Sequence, residues 1–266
     1  MFLLGDLFVK IRDYQYKFNE TVRSSHRDNG KIGCIATLGE LNREVFKIKQ
    51  CEWKTKTPFA SIRRIVQQTK GIYKIRPGLY GLESFRQSIE RKNIFEETQD
   101  NKSLEVVKNF NHTYYQGLLL VIGNSRGMNT FIPNQDKNKL FYDGRKLQDM
   151  ANLIQQPQYT YSKFVKRSST IDTIWFNSRN MPHSFFEIEH STDIQNSLLK
   201  FNDLQDFYAR MTIVADIKRK QEFESKMLFH AFDELRMNKR VSFLSYEELV
   251  KQYEMELEKK ALNFIL

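Results

Sequence analysis

Two β-rich runs a short turn apart, Thr170-Ile171-Asp172-Thr173-Ile174-Trp175-Phe176 and Ser184-Phe185-Phe186-Glu187-Ile188-Glu189, place carboxylates among large apolar side chains. Successive strand residues point to opposite faces, so Glu187 and Glu189 share a face. If the runs pair as a hairpin around Met181-Pro182, Asp172 comes beside Glu187 and three acids meet in apolar surroundings. Like charges crowded away from water are costly unless protons or cations neutralise them. A hard divalent cation such as Mg2+, which takes one or two carboxylates plus water and phosphate oxygens, meets that need.

The residues downstream of the acidic strand predict its frame. Thr192 and Gln195 have capping-box spacing before an apolar stripe at Ile194, Leu198, Leu199, Phe201, Leu204, Phe207 and Tyr208. A strand, Met211-Thr212-Ile213-Val214-Ala215, a helix carrying Phe223, Met227, Ala231 and Leu235, a strand at Val241 to Leu244 and a final helix from about Tyr246 complete the run. Strand-helix-strand-helix order implies an α/β layer with a partly parallel sheet. Upstream, His112 to Ile122 reads as an amphipathic helix closed by Gly123, and Met128 to Pro133 as a short strand. Gln116 on that helix is an auxiliary candidate for the site. His183 and His190 flank the acidic strand, and lone histidines of this kind are more often structural than catalytic. Trp175 reads as core.

The first part of the chain has a different character. Of the net charge of +10, most is concentrated between residues 43 and 76, where ten Lys or Arg face two acids. The segment reads as a helix from Thr37 with Leu38, Leu41, Val45 and Phe46 on one face, then a basic loop. A second helix comes next, capped by Thr57-Pro58 and carrying Phe59, Ile62, Ile65 and Val66. It leads to a hairpin, Ile72-Tyr73-Lys74-Ile75-Arg76 and Leu79-Tyr80-Gly81-Leu82 about Pro77-Gly78. This order resembles a winged helix, and the resemblance implies that the second helix would offer Ser61, Arg63, Arg64, Gln67 and Gln68 to base edges while Lys74 and Arg76 would grip phosphates. Residues 86–111 are polar and read as a connecting helix with flexible ends, the natural place for a domain boundary.

These residues carry two resemblances. Thr57-Pro58-Phe59-Ala60-Ser61-Ile62 with Arg76-Pro77-Gly78-Leu79-Tyr80-Gly81-Leu82 resembles the HARE-type winged helix-turn-helix module over about residues 33–85. Ile171-Asp172 with Phe186-Glu187-Ile188-Glu189 resembles the catalytic core of the PD-(D/E)XK nuclease superfamily over about residues 110–255. The second resemblance implies that Asp172 and Glu187 hold the metal and that Glu189, standing where lysine is usual, activates water or completes the metal shell. The expectation is therefore an α/β (α+β) chain in three parts. A winged-helix DNA-binding domain spans residues 1–85, a connector 86–111, and a nuclease-like mixed sheet flanked by helices 112–266.

The function expected of such a chain is that of an Mg2+-dependent type II-like restriction endonuclease acting on double-stranded DNA, as a homodimer if both strands are cut. The alternative is a non-catalytic DNA-binding regulator, or a partner-dependent subunit, built on a nuclease-like scaffold. Cys34 and Cys51 have no zinc-type spacing and read as half-buried thiols of a reducing cytoplasm. Met1-Phe2-Leu3-Leu4 is interrupted by Asp6 and Lys10 before it could form a signal core or a membrane span.

Overall fold

The computed structural model of the protein describes residues 34–46 and 58–262. The apolar start Met1 to Leu4, the loop residues Lys47, Lys49, Lys54 and Lys56, the Thr57 cap, Cys51 and the side chains of Val45 and Phe46 lie outside the described residues. The chain divides into two units. One runs to Glu97 and includes Tyr142–Gly144 and the residues from Leu257 on; the other holds Thr98–Phe141 and Arg145–Glu256.

In the first unit, β1 (Ile35–Thr37) leads straight into α1 (Leu38–Phe46). The junction is a capping box: the Thr37 amide donates to Glu40 Oε2 at 2.9 Å and the Glu40 amide to Thr37 Oγ1 at 3.3 Å. Next come α2 (Pro58–Gln68), β2 (Ile72–Arg76) and β3 (Leu79–Leu82), and all strand pairs are antiparallel in the order β1-β3-β2. Gly78 turns the hairpin at φ 73°, a conformation that a Cβ would strain. Leu38, Leu41, Ile62, Val66 and Tyr80 form the small core beneath the two helices. Cys34 is buried rather than half-buried. A short helix, α3 (Arg86–Glu90), comes after the hairpin.

The second unit opens with α4 (Glu105–Ser125), which starts earlier than the apolar spacing suggested and absorbs the end of the stretch read as a connector. Nor is it amphipathic: Val107, Phe110, Tyr114, Tyr115, Leu118, Leu119, Leu120 and Ile122 are all buried, so it is covered around most of its circumference. Then come β4 (Asn129–Phe131), α5 (Leu147–Met150), α6 (Ser162–Ser168), β5 (Thr173–Phe176), β6 (Pro182–Glu189), α7 (Ile194–Asn202), β7 (Arg210–Ala215), α8 (Lys220–Met227), α9 (Asp233–Met237), β8 (Val241–Ser245) and α10 (Tyr246–Leu262).

These strands make one five-stranded sheet in the order β4-β5-β6-β7-β8. The β4-β5 and β5-β6 pairs are antiparallel; β6-β7 and β7-β8 are parallel, as a return through α7 and then through α8 and α9 requires. Alternation divides its side chains. Ile174, Phe176, Phe185, Met211 and Ile213 pack with Ile194, Leu198 and Phe201 of α7. On the other face Trp175 lies against Phe186, ring centroids 4.6 Å apart, and its indole N–H donates to the Leu119 carbonyl of α4 at 3.2 Å. Both faces are therefore covered, and the apolar run of β7 is buried through its length from Met211.

Three details differ from the expectations of the sequence. Asp193, not Thr192, caps α7, its carboxylate accepting the Gln195 amide at 2.9 Å, because the Thr192 hydroxyl is turned to Glu189. The helix ends at Asn202, short of Leu204, Phe207 and Tyr208, and of the stripe Leu199 and Tyr208 are exposed. The run through Ala231 and Leu235 is broken by a 3-10 turn at His230–Phe232 that puts Phe232, not Ala231, into the core.

Close approach of α4 to its surroundings depends on two glycines. A Cβ on Gly117 would meet the Phe141 ring at 2.3 Å, and one on Gly123 would meet Trp175 Nε1 and Thr130 Cγ2 at 2.6 Å. Gly117→Ala is expected to destabilise the protein by about 1–3 kcal/mol in denaturant melts, the usual cost of overpacking. Asn109→Ala on the exposed side of the same helix is expected to stay within about 0.5 kcal/mol of the parent. Equal melts for the two variants would contradict this seating of the helix.

Candidate active site

Asp172 sits one residue before β5, and the register Thr173↔Phe186 sets it next to Glu187 on β6. All three expected acids are buried: Asp172 is 8% exposed, Glu187 2% and Glu189 4%. They are not equivalent in what surrounds them.

Glu187 and Glu189 project on the α7 face. Ser197 Oγ donates to Glu187 Oε2 at 2.9 Å and also to Glu189, whose other oxygen takes the Thr192 hydroxyl. Lys200, one turn beyond Ser197 on α7, binds both oxygens of Glu187 at 2.8 and 3.0 Å and the Thr170 carbonyl at 3.1 Å. Burial raises the Glu187 carboxyl well above its ordinary range, and the nearby Asp172 charge adds to this; Lys200 and Ser197 pull the other way without prevailing. Burial likewise raises Glu189, against the opposing hydrogen bonds from Ser197 and Thr192.

Asp172 faces two ways. One carboxylate oxygen, Oδ2, accepts the Ile188 amide between the two glutamates at 2.7 Å. The other, Oδ1, lies 3.6 Å from His112 Nε2 on α4. That imidazole is also 3.8 Å from Asp136 Oδ2, and one ligand atom from each of His112, Asp136 and Asp172 falls within 4.8 Å of the others. Gln116, fully buried one turn along from His112, donates its amide N–H to the Asp172 carbonyl and, at 3.0 Å, to Asp136 Oδ2. Lys139 pairs with Asp136 Oδ1 at 2.7 Å. Burial disfavours the Asp136 carboxylate, but His112, Lys139 and Gln116 outweigh it and bring its pKa down to about 2. Burial would lower the His112 pKa, yet the Asp172 and Asp136 charges carry it above the ordinary value.

The strand pairing brings Asp172, Glu187 and Glu189 into one neighbourhood, and Gln116 reaches Asp172 alone of the three, from the helix. Sequence reasoning missed His112, Asp136, Ser197 and Lys200. Helical spacing offered signals for two of these pairs: His112 precedes Gln116 by four residues and Ser197 precedes Lys200 by three, each on one helix face. Nothing local marked Asp136, which comes from a 3-10 turn after β4. The flanking histidines are engaged elsewhere, His190 with Asn111 and His183 with Ser184 Oγ.

In the first unit, Arg63, Arg64, Gln67 and Gln68 line the exposed side of α2, opposite buried Ile62, Ile65 and Val66, and Lys74 is exposed on β2. Ser61 is half-buried. Arg76, expected to grip phosphate, instead points inward at 2% exposure. Its guanidinium donates to the carbonyls of Ile75 at 2.6 Å and Phe95 at 2.7 Å and lies 3.4 Å from Glu97. The cause is parity: the register shifts between Lys74 and Arg76, and the side chain follows Ile75 into the interior. Arg76→Ala is accordingly expected to cost about 2–3 kcal/mol of stability, the range for hydrogen bonds made by a charged group. A fully stable Arg76→Ala protein with weakened DNA binding would restore the phosphate role.

Residues 93–265 match the family described as the type II restriction enzyme NmeDI C-terminal domain. A relative in that family, the type II restriction enzyme NmeDI of Neisseria meningitidis serogroup C, is 26% identical over 162 residues, covering 57% of this chain and 45% of that enzyme. The chain thus spans under half the length of the curated relative it matches. No solved structure matches.

Proposed function

Since the chain belongs to the NmeDI C-terminal-domain family of type II restriction enzymes, we propose that it is a restriction-type DNA endonuclease. In this reading its second unit hydrolyses phosphodiester bonds with a divalent cation, Mg2+, and its first unit reads double-stranded DNA. The observation that carries the catalytic part is the placement of buried Asp172, Glu187 and Glu189 on adjoining strand ends. Cytoplasmic location and a homodimer cutting both strands belong to the same proposal.

The donor set fits the cation. Buried Glu187 is held far from its ordinary titration range beside Asp172, the condition that a cation relieves. Asp172 and Glu187 would hold it; when bound, it supplies positive charge for the phosphate and makes a coordinated water more acidic. Glu189, its carboxylate fixed by the Ser197 and Thr192 hydroxyls, would orient the attacking water and accept its proton. The PD-(D/E)XK pattern that these strands resemble has lysine at the Glu189 position. In this chain an ammonium reaches Glu187 from α7 instead, through Lys200, and that supports an active site over an inert scaffold. Gln116 fixes the Asp172 backbone and so the direction of its carboxylate.

For DNA reading, the support is the order β1-α1-α2-β2-β3 with a basic, exposed α2 face. This is the layout in which a second helix enters the major groove and a hairpin contacts the backbone. Arg63→Ala and Arg64→Ala are each expected to lower the salt dependence of DNA binding by about one counterion if the arginine contacts phosphate, or to relax sequence preference if it contacts guanine. Unchanged binding in both variants would remove α2 from the interface.

The decisive experiment is cleavage of methylated and unmethylated plasmid with Mg2+ by the parent protein and by Asp172→Ala and Glu187→Ala variants that still bind DNA. Discrete fragments from the parent, lost by about 100-fold or more in each variant, are the expected result. Intact binding without cleavage of either plasmid would favour the regulator or partner-dependent reading.

A further inference from the structure

The acids of the candidate site lie toward the carboxyl end of β6, and the opposite end of the same sheet carries the reverse charge. We propose that this opposite end of the second unit is a docking surface for the phosphate backbone of a second segment of duplex DNA. The first segment is the one that the cleavage reading brings to the acids.

Strand order gathers the cations. The turn between β5 and β6 holds Arg179, β7 begins with Arg210, and Lys239 and Arg240 lead into β8. Arg210 is opposite Ser184 at the start of β6. Its neighbour Met211 is opposite Val241, and the Met211 amide donates to the Arg240 carbonyl at 3.0 Å. Arg210 and Arg240 thus open adjacent strands, which run about 4.8 Å apart. Like charges so placed repel, and the protein does not relieve them. Arg179, Arg210, Lys239 and Arg240 have no acidic partner among the described residues, and residues 177–183, 205–211 and 238–241 contain one acid, Asp206. Beside Arg210, burial and then the arginine charge hold the His183 imidazole below its ordinary pKa.

Two further observations mark the surface. Tyr208 is 93% exposed, more than any other large apolar or aromatic side chain described. The Arg240 guanidinium stands 5.1 Å from its ring centroid, within cation–π range, and is itself anchored on the Gln205 and Phe207 carbonyls at 3.1 and 2.7 Å. The ring is therefore held at the surface by a fixed cation. Lys239, the other, has φ 50°, a left-handed position that glycine or asparagine fills with less strain, and it is fully at the surface. Arginine, lysine and a tyrosine hydroxyl are donors that recur at DNA phosphates.

The length of β6 makes this a separate segment. Glu187 and Glu189 are about 17 and 23 Å along the strand from Pro182, which opens it. A straight duplex crossing the acids does not reach the amino ends of β6, β7 and β8. Holding another stretch there raises the local concentration of DNA around the protein.

The test is capture of two duplexes by the full chain at low ionic strength without divalent cation, so that neither is cut. One duplex is fixed to beads, and the other, of unrelated sequence, carries a fluorophore. The parent protein is expected to hold both. The variant Arg179→Ala/Arg210→Ala/Lys239→Ala changes three exposed side chains. It is expected to stay on the beads and to lose the fluorescent duplex by about 10-fold or more, with a salt slope lower by about three counterions. Equal capture by parent and variant overturns the surface, as does a parent that holds one duplex only. A photocrosslinking side chain in place of Tyr208 gives a local readout: it must become linked to labelled duplex, and a surface made for an acidic protein would leave it unlinked. Plasmid cleavage judges the nuclease reading separately, so a chain that cuts DNA and fails these captures keeps that reading and loses the second surface.

Discussion

A carboxylate on a sheet covered on both faces has no bulk water to turn to, and every charged group near β6 is arranged around that fact. Glu187 and Glu189 sit where β6 runs out from the apolar core of Phe185, Met211 and Ile213, and the helix that closes this face provides the compensation. Ser197 and Lys200 are on the same side of α7 as the core residues Ile194, Leu198 and Phe201, so the contacts that bury the helix also deliver a hydroxyl and an ammonium to the acids. Packing and electrostatics are solved by one element here. The parallel β6-β7 pairing has the same dependence, since it needs the crossover that α7 provides.

Asp172 connects this arrangement to the opposite face. Its backbone carbonyl is held by Gln116 and its carboxylate is shared between the Ile188 amide and the His112 side, so α4, β5 and β6 meet at one residue. A group restrained from several elements keeps its direction when a substrate arrives, which is the value of preorganised charge in catalysis. In the first unit an internal charge is handled in the same way: Arg76 satisfies the carbonyls of Ile75 and Phe95 and thereby ties the hairpin to the residues that come after α3.

Much of this was legible from residue order. Alternation in Thr173 to Phe176 and Ser184 to Glu189 gave the antiparallel pair and put Glu187 and Glu189 on one face, and the apolar run at Met211 gave the buried parallel strand. The features that escaped residue order depended on tertiary contact. The exposed Lys102, Ser103, Leu104 and Asn109 obscured the first turns of α4, whose all-round burial is decided by distant partners such as Phe141 and Tyr246. Thr192 had the spacing of a cap but a better acceptor in Glu189. Arg76 looked like its exposed neighbour Lys74 until the register shift between them turned it inward. His112 and Asp136 are far apart in sequence and carry no shared motif, so only the folded chain sets them together.

The two glycines of α4 bear on all of this. Gly117 follows Gln116 directly, and with Gly123 it lets the helix sit so close to Phe141, Thr130 and Trp175 that no other seating would fit. A slip of one residue along the helix would carry His112 and Gln116 about 100° around its axis and away from Asp172. Two missing methyl groups thus work as a gauge for the candidate site: they keep the angular setting of His112 and Gln116 on the helix, and sequence drift at either glycine would reach that site by turning the helix.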